Sequence, residues 1–228
     1  MRERQGNPII TPFALRKTGM DVPGGYHNIG KICMCEAMGT AFLIIAINLG
    51  WHIHPGFLPF AIGLIIFMNI TVFGNISGGH FNPAVTLGVL VKDGTSNFAK
   101  NVVLSIMMII SQIAGGFIGA YIVTKILVTN SKDSYLWPGI AFLCPNKSPS
   151  LHLTSDDICD GSRIIFHMFL AEFVGTFVFI NIILSIKYHN GAADLVVNAL
   201  CIGLTLFTAV LLIGGISGGS LNPAVGVV

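Results

Sequence analysis

The chain has 228 residues, of which 53% are hydrophobic and only 10% charged; its formal net charge is +2 and its mean hydropathy +0.79. A soluble domain carries about 25% charged residues, so these values exclude an ordinary water-soluble fold. The near-neutral balance singles out no charged partner.

Residues 1–31 contain Pro8, Pro12 and Pro23 and read as a flexible tail. A helix that crosses a bilayer needs about 20 mostly apolar residues, and five runs meet that requirement: 32–51, 57–76, 102–128, 164–186 and 193–213. The first follows a basic segment, as the apolar part of a cleaved signal peptide does. It also holds Glu36, matched by Glu172 deep in the fourth run, and so reads as a retained span.

The placement of Lys and Arg in loops orients a membrane protein. Arg2, Arg4, Arg16, Lys17, Lys31, Lys92, Lys100 and Lys187 fall on one side if each run crosses once, and Lys125, Lys132, Lys147 and Arg163 on the other, eight against four. The N-terminus is therefore predicted to be cytoplasmic. The connection after the third run, with Asp133, Asp156, Asp157 and Asp160, is predicted to face outward. Within it, residues 146–148 match a glycosylation acceptor pattern short enough to arise by chance.

Five cysteines with no metal-ligand spacing leave Cys144 and Cys159 either as an outward-facing disulfide or as two free thiols. Cys33 and Cys35 at the mouth of the first run read as apolar packing, with palmitoylation the alternative. Cys201 reads as packing. The other histidines, His52, His54, His152, His167 and His189, form no ligand pattern.

The chain repeats itself. Glu36-Ala37-Met38-Gly39-Thr40 matches Glu172-Phe173-Val174-Gly175-Thr176, and Ser77-Gly78-Gly79-His80-Phe81-Asn82-Pro83-Ala84-Val85 matches Ser217-Gly218-Gly219-Ser220-Leu221-Asn222-Pro223-Ala224-Val225. The two matches lie 136 and 140 residues apart, so their order and spacing agree. Three apolar runs separate the two Asn-Pro-Ala (NPA) boxes. An odd number of crossings puts the boxes on opposite sides of the membrane and inverts one half relative to the other, an arrangement found in transport proteins with a site near the midplane.

Each box follows a glycine-rich turn and opens an apolar stretch too short to span, residues 84–91 in the first half. Asn suits a helix N-cap and Pro the first helical position. Each box therefore reads as the start of a half-helix. Irregular backbone at membrane depth is tolerated where it is buried or lines a watery cavity, so Gly78, Gly79 and His80, with Gly218, Gly219 and Ser220, are expected to offer carbonyls to a pore.

These residues resemble the aquaporin, or major intrinsic protein, family, whose marks are paired NPA boxes preceded by Ser-Gly turns and a Glu-x-x-Gly-Thr in the first and fourth spans. The resemblance covers residues 32–228, and Gln112 with Gly115, Gly116 and Gly119 is similar to the family's third span. It implies an all-α, right-handed bundle of six spans and two re-entrant half-helices stacked at their NPA ends, with one pore per monomer in a homotetramer.

On this reading residues 1–31 are a cytoplasmic tail, 32–128 a first channel repeat, 129–162 an extracytoplasmic connection and 163–228 a second repeat. The resemblance further implies that Asn82, Pro83 and Ala84, with Asn222, Pro223 and Ala224, form the pore centre, where both asparagines donate amide hydrogens to the permeating molecule. It implies that Glu36 and Glu172 brace the loops rather than relay protons, and that His80 braces rather than gates.

The implied function is passive passage of water and small uncharged solutes such as glycerol or urea through a lipid bilayer. No enzyme motif, catalytic residue, metal, cofactor or nucleic-acid partner is expected. An ion-coupled secondary transporter and a non-conducting scaffold on the same fold are the rival readings.

The sequence departs from the family at Val225, where Arg is usual, and at Val228, after which a sixth span is missing. The expectation is that the natural product continues. The resemblance implies an outer constriction formed by one residue of the second span, one of the fifth and two flanking the second NPA box; counting back from the asparagines puts the first two at Ile62 and Val210, the flanking positions are Gly219 and Val225, and the quartet has no charge and no side-chain donor.

Overall fold

The computed structural model describes residues 28–93, 98–127, 161–190 and 194–228, all in helices or the turns between them. The 146–148 acceptor pattern, Cys144, Cys159 and His152 lie outside these residues. Among the described residues, five helices have the length and apolar character to cross a membrane: α1 Ile29–Ile53, α2 Leu58–Ser77, α4 Phe98–Leu127, α5 Gly161–Ser185 and α6 Leu195–Ser217. Two shorter helices follow the NPA asparagines, α3 Pro83–Asp93 and α7 Pro223–Gly226. All five apolar runs are therefore helical over their described residues. The first helix begins inside the segment read as tail, and α3 runs two residues beyond the apolar stretch.

Local sequence explains where the helices stop. Pro55 ends α1 in a short 3-10 turn, Pro55–Phe57, and a second proline, Pro59, sits in the first turn of α2, where no intrahelical N–H is required. Helices α2 and α6 end alike: Gly78 (φ 90) and Gly218 (φ 93) take the left-handed conformation open to glycine and return their N–H groups to Gly74 O and Gly214 O. At the other end of α6, Asp194 caps the helix by accepting the Val196 N–H at 2.6 Å. The last turn of α5 widens into a π-helix, Ile186–Asn190.

Small residues set the packing. In α4, a Cβ added at Gly115 would lie 2.1 Å from Ala37 O, and one at Gly119 2.6 Å from Ala41 O, so α1 and α4 meet backbone to backbone. Helices α2 and α6 cross at Gly63 and Gly203, where a Cβ on either would approach the carbonyl oxygen of the other at 2.7 or 2.6 Å. These glycines stand at equivalent positions in the two repeats, so the crossing lies on the axis relating the halves.

Around this crossing, Ile62, Ile66 and Ile70 of α2 join Ile202, Leu206 and Val210 of α6, with Phe81 and Leu221 from the NPA loops, in one buried cluster. The outward faces are apolar as well: Val72 is 62% exposed, Leu212 71% and Phe166 60%. In water such a surface would aggregate, whereas lipid solvates it. The chain is an integral, multi-pass membrane protein.

Candidate functional site

The two repeats build two loops by the same chemistry. In the first, the Glu36 carboxylate accepts four hydrogen bonds: from the Ser77 hydroxyl (2.6 Å), the backbone N–H groups of His80 (3.1 Å) and Phe81 (2.6 Å), and Gln112 Nε2 (2.8 Å). In the second, Glu172 accepts from the Ser217 hydroxyl (2.6 Å) and the N–H groups of Ser220 (2.9 Å) and Leu221 (2.7 Å). Each serine oxygen in turn accepts the N–H two residues on, from Gly79 at 3.1 Å and Gly219 at 3.2 Å.

Backbone donors that leave secondary structure at membrane depth need such partners. The backbone takes an unusual course to reach them: Phe81 (φ 49) and Leu221 (φ 50) are left-handed without being glycine, as are Gly79 (φ 66) and Gly219 (φ 65). A left-handed residue with a side chain costs ~1–2 kcal/mol, while a hydrogen bond to a charged acceptor returns about 1.5–3 kcal/mol. The carboxylates therefore outweigh the strain. Glu36 is fully buried and Glu172 half-buried, because Gln112 of α4 lies against the former and none of the described residues supplies a counterpart for the latter.

At the loop tips the halves join. Asn82 Nδ2 donates to Leu221 O at 2.9 Å, and Asn222 Nδ2 donates to Phe81 O at 2.9 Å. The same asparagines cap their own half-helices, Asn82 Oδ1 accepting from Ala84 N (2.8 Å) and Asn222 Oδ1 from Ala224 N (3.0 Å). Capping alone was legible in the sequence. The reciprocal bonds, between residues 139 and 141 positions apart, were not.

His80 Nδ1 lies 3.2 Å from the Thr86 hydroxyl, which donates to Asn82 O and accepts from Gln112 Nε2 at 3.0 Å. With its only hydrogen on Asn82 O, that hydroxyl requires the proton on His80 Nδ1. In the neutral ring His80 Nε2 is then an acceptor, and it has no hydrogen-bond partner among the described residues.

A cavity of ≈ 1100 Å³ runs past both loop tips, with Asn82, Ala84, Asn222 and Pro223 on its wall, and with the loop residues Gly78, Gly79, His80, Gly218, Gly219 and Ser220. Pro83 and Ala224 are buried and lie off its wall. Ile62, Val210, Gly219 and Val225 all line it, so the four residues expected at the constriction share one space. Gly219 leaves little room for a side chain: a Cβ would stand 3.3 Å from both Gly214 Cα and Val210 Cα, on a backbone whose left-handed φ of 65 already favours glycine.

Sequence reasoning misplaced Lys187. Counted as a loop charge, it is instead buried, with Nζ donating to Gly78 O at 2.9 Å on the cavity wall. Its signal in the sequence was its position directly after an apolar run. Ser77 and Ser217 stand at the same place in both copies of the repeat, and that repetition is the sequence clue to the role they share. Gln112, read as part of a packing span, proves to hold Glu36 and Thr86. Cys201 is exposed on α6, Cys35 is buried and Cys33 is half-buried. No group of residues suited to a metal ion occurs among the described residues.

The family model for "Major intrinsic protein" matches residues 26–143 and 162–228. The chain is 32% identical over 192 residues to "Glycerol uptake facilitator protein-like 6" of Lactiplantibacillus plantarum, covering 84% of this chain and 75% of that protein. It is 31% identical over 210 residues to "Aquaporin-8" of Notomys alexis, covering 87% of this chain and 70% of that protein. Its fold matches the X-ray structure of the aquaglyceroporin from Plasmodium falciparum with a TM-score of 0.66 at 20% identity, over 86% of this chain and 78% of that one.

Proposed function

The chain belongs to the major intrinsic protein family, and from that premise we propose that it is a passive membrane channel for water and small uncharged solutes such as glycerol. The observation that carries this is the meeting of Asn82 and Asn222 at the tips of two re-entrant loops on the wall of one cavity. Each amide spends its oxygen on its own half-helix and one hydrogen on the opposite loop. The second hydrogen is left for a molecule in the cavity. Carbonyls of the glycine-rich loops on either side supply acceptors, and Glu36 and Glu172 hold those loops open. The N-terminus of α3 adds a positive dipole end that opposes cations, a barrier already described for pores of this type.

Ile62, Val210, Gly219 and Val225 form the constriction. With no charge and no side-chain donor it is wider and drier than a ring built around Arg, which favours less polar solutes alongside water. The N-terminal side is cytoplasmic; removing Lys187 from the loop count leaves seven basic residues against four. The channel works as a homotetramer in which each protomer has its own pore.

Stopped-flow shrinkage of proteoliposomes holding the protein tests the reading. Both water and glycerol are expected to pass without an ion gradient, and Val225→Arg is expected to lower glycerol permeability more than water permeability. Flux that stalls without an imposed ion gradient would identify a coupled carrier, and no flux at all a scaffold. Glycerol flux that is absent, or unmoved by Val225→Arg, would overturn the account of the constriction.

A further inference from the structure

A charged side chain inside an apolar bundle is costly to keep unless it does something there. Lys187 is 8% exposed and sits in the π-turn that ends α5. Single π-turns are frequently found at functional sites. Its ammonium donates to Gly78 O, the first carbonyl of the first re-entrant loop, and it lines the same cavity as His80 and Asn82. The neighbouring residue anchors the turn: the Tyr188 hydroxyl donates to Asp93 Oδ1 at the end of α3, and Lys92 Nζ lies 5.8 Å from the centre of the Tyr188 ring. Two consecutive residues of one turn thus hold both the beginning of the first loop and the end of its half-helix.

We propose that Lys187 is a specificity-determining residue of the pore, setting a fixed positive charge at the first-loop end of the cavity to exclude cations. The proposal rests on the channel reading above. At the second-loop end, Ile62, Val210, Gly219 and Val225 offer no charge. A bare loop carbonyl is a good cation ligand, being an oxygen with two lone pairs. Gly78 O is already occupied by an ammonium donor, and a metal cation approaching it meets a like charge within a few Å, where screening by water is weakest. A neutral solute meets no such barrier. Lys187 therefore discriminates by charge while leaving size selection to the other end.

The test uses proteoliposomes in which water flux and dissipation of an imposed sodium gradient are both measured. Lys187→Gln removes the charge while keeping a donor, and Lys187→Met removes both. Each is expected to raise the ratio of sodium leak to water flux about tenfold or more. Lys187→Arg is expected to exclude sodium as before, and Val225→Arg added to Lys187→Gln to restore exclusion from the opposite end.

A Lys187→Gln protein that conducts water and excludes sodium normally overturns the proposal. So does a Tyr188→Phe protein that leaks as the Lys187 variants do, because that variant loosens the turn without touching the charge. If Lys187→Met fails to fold, the Lys187→Gln result decides. Failure of the channel reading itself would be seen separately, as absent water flux in the unsubstituted protein.

Discussion

Glu36 and Glu172 are one residue in two environments, and the difference is measurable. Each holds a serine hydroxyl and two backbone N–H groups, but Glu36 is fully buried and also accepts from Gln112. Replacing a carboxylate by an amide turns one acceptor oxygen into a donor that faces other donors, and each buried donor left unsatisfied costs about 1–3 kcal/mol. Glu36→Gln is therefore expected to lower the midpoint of thermal unfolding in detergent clearly more than Glu172→Gln, whose half-buried site lets water compensate. Equal losses, or a larger loss at Glu172, would mean that the repeat, not burial, sets the stability of the loops. The placement of a carboxylate in each half at a matching distance from a glycine-rich turn was legible in the sequence, whereas bracing came only from the family resemblance, and the hydrogen bonds of both residues to their loops fit it. The left-handed Phe81 and Leu221 were not legible, since sequence marks that conformation through glycine or asparagine and here the demand comes from carboxylates in other helices. Lys187 was misread for a similar reason: hydropathy records that a charge ends an apolar run, not which way the last turn directs it.

At the scale of helices, the glycines divide into those that permit contact and those that do not matter. Gly115 has Ala37 O where its Cβ would be, whereas Gly215, in α6, has nothing within 4 Å. Gly115→Ala must push α1 and α4 apart, since the obstructing atoms are backbone and cannot turn aside, and overpacking of this kind costs about 1–3 kcal/mol or more. Gly215→Ala is expected to be neutral or to stabilise by about 0.4–1 kcal/mol, as alanine restricts the unfolded chain. Thermal unfolding and the monodisperse yield after purification read both; a Gly115→Ala protein as stable as Gly215→Ala would show that the α1–α4 contact has slack. All five long helices were legible, because an apolar run of this length has one stable form in lipid. Their partners were only partly so. The resemblance pointed to close packing around Gly115 and Gly119, but Gly63 and Gly203 lie in unbroken apolar runs, where nothing local distinguishes a crossing point from an ordinary lipid-facing residue.

For the molecule as a whole, the inverted halves were visible in the paired motifs, and matched backbone angles at Gly78 and Gly218, at Gly79 and Gly219, and at Phe81 and Leu221 repeat that relation in three dimensions. What the motifs could not convey is that the halves are tied together where they meet: Asn82 bonds the second loop and Asn222 the first. A carrier that exposes its cargo to one side and then the other has to part its halves at mid-depth in every cycle. Here that parting would break two buried hydrogen bonds at once and leave four polar groups without partners. The seam is closed, so there is no cycle to complete and no turnover number to reach. Solute uptake is accordingly expected to climb in proportion to the applied glycerol gradient, in either direction, with no plateau and no acceleration by glycerol preloaded on the far side. Saturation at modest concentration, or such trans-acceleration, would mean that the asparagine clasp opens during transport. The same clasp makes the protein indifferent to which compartment is fuller: it sets a rate of equilibration and leaves the direction entirely to the cell.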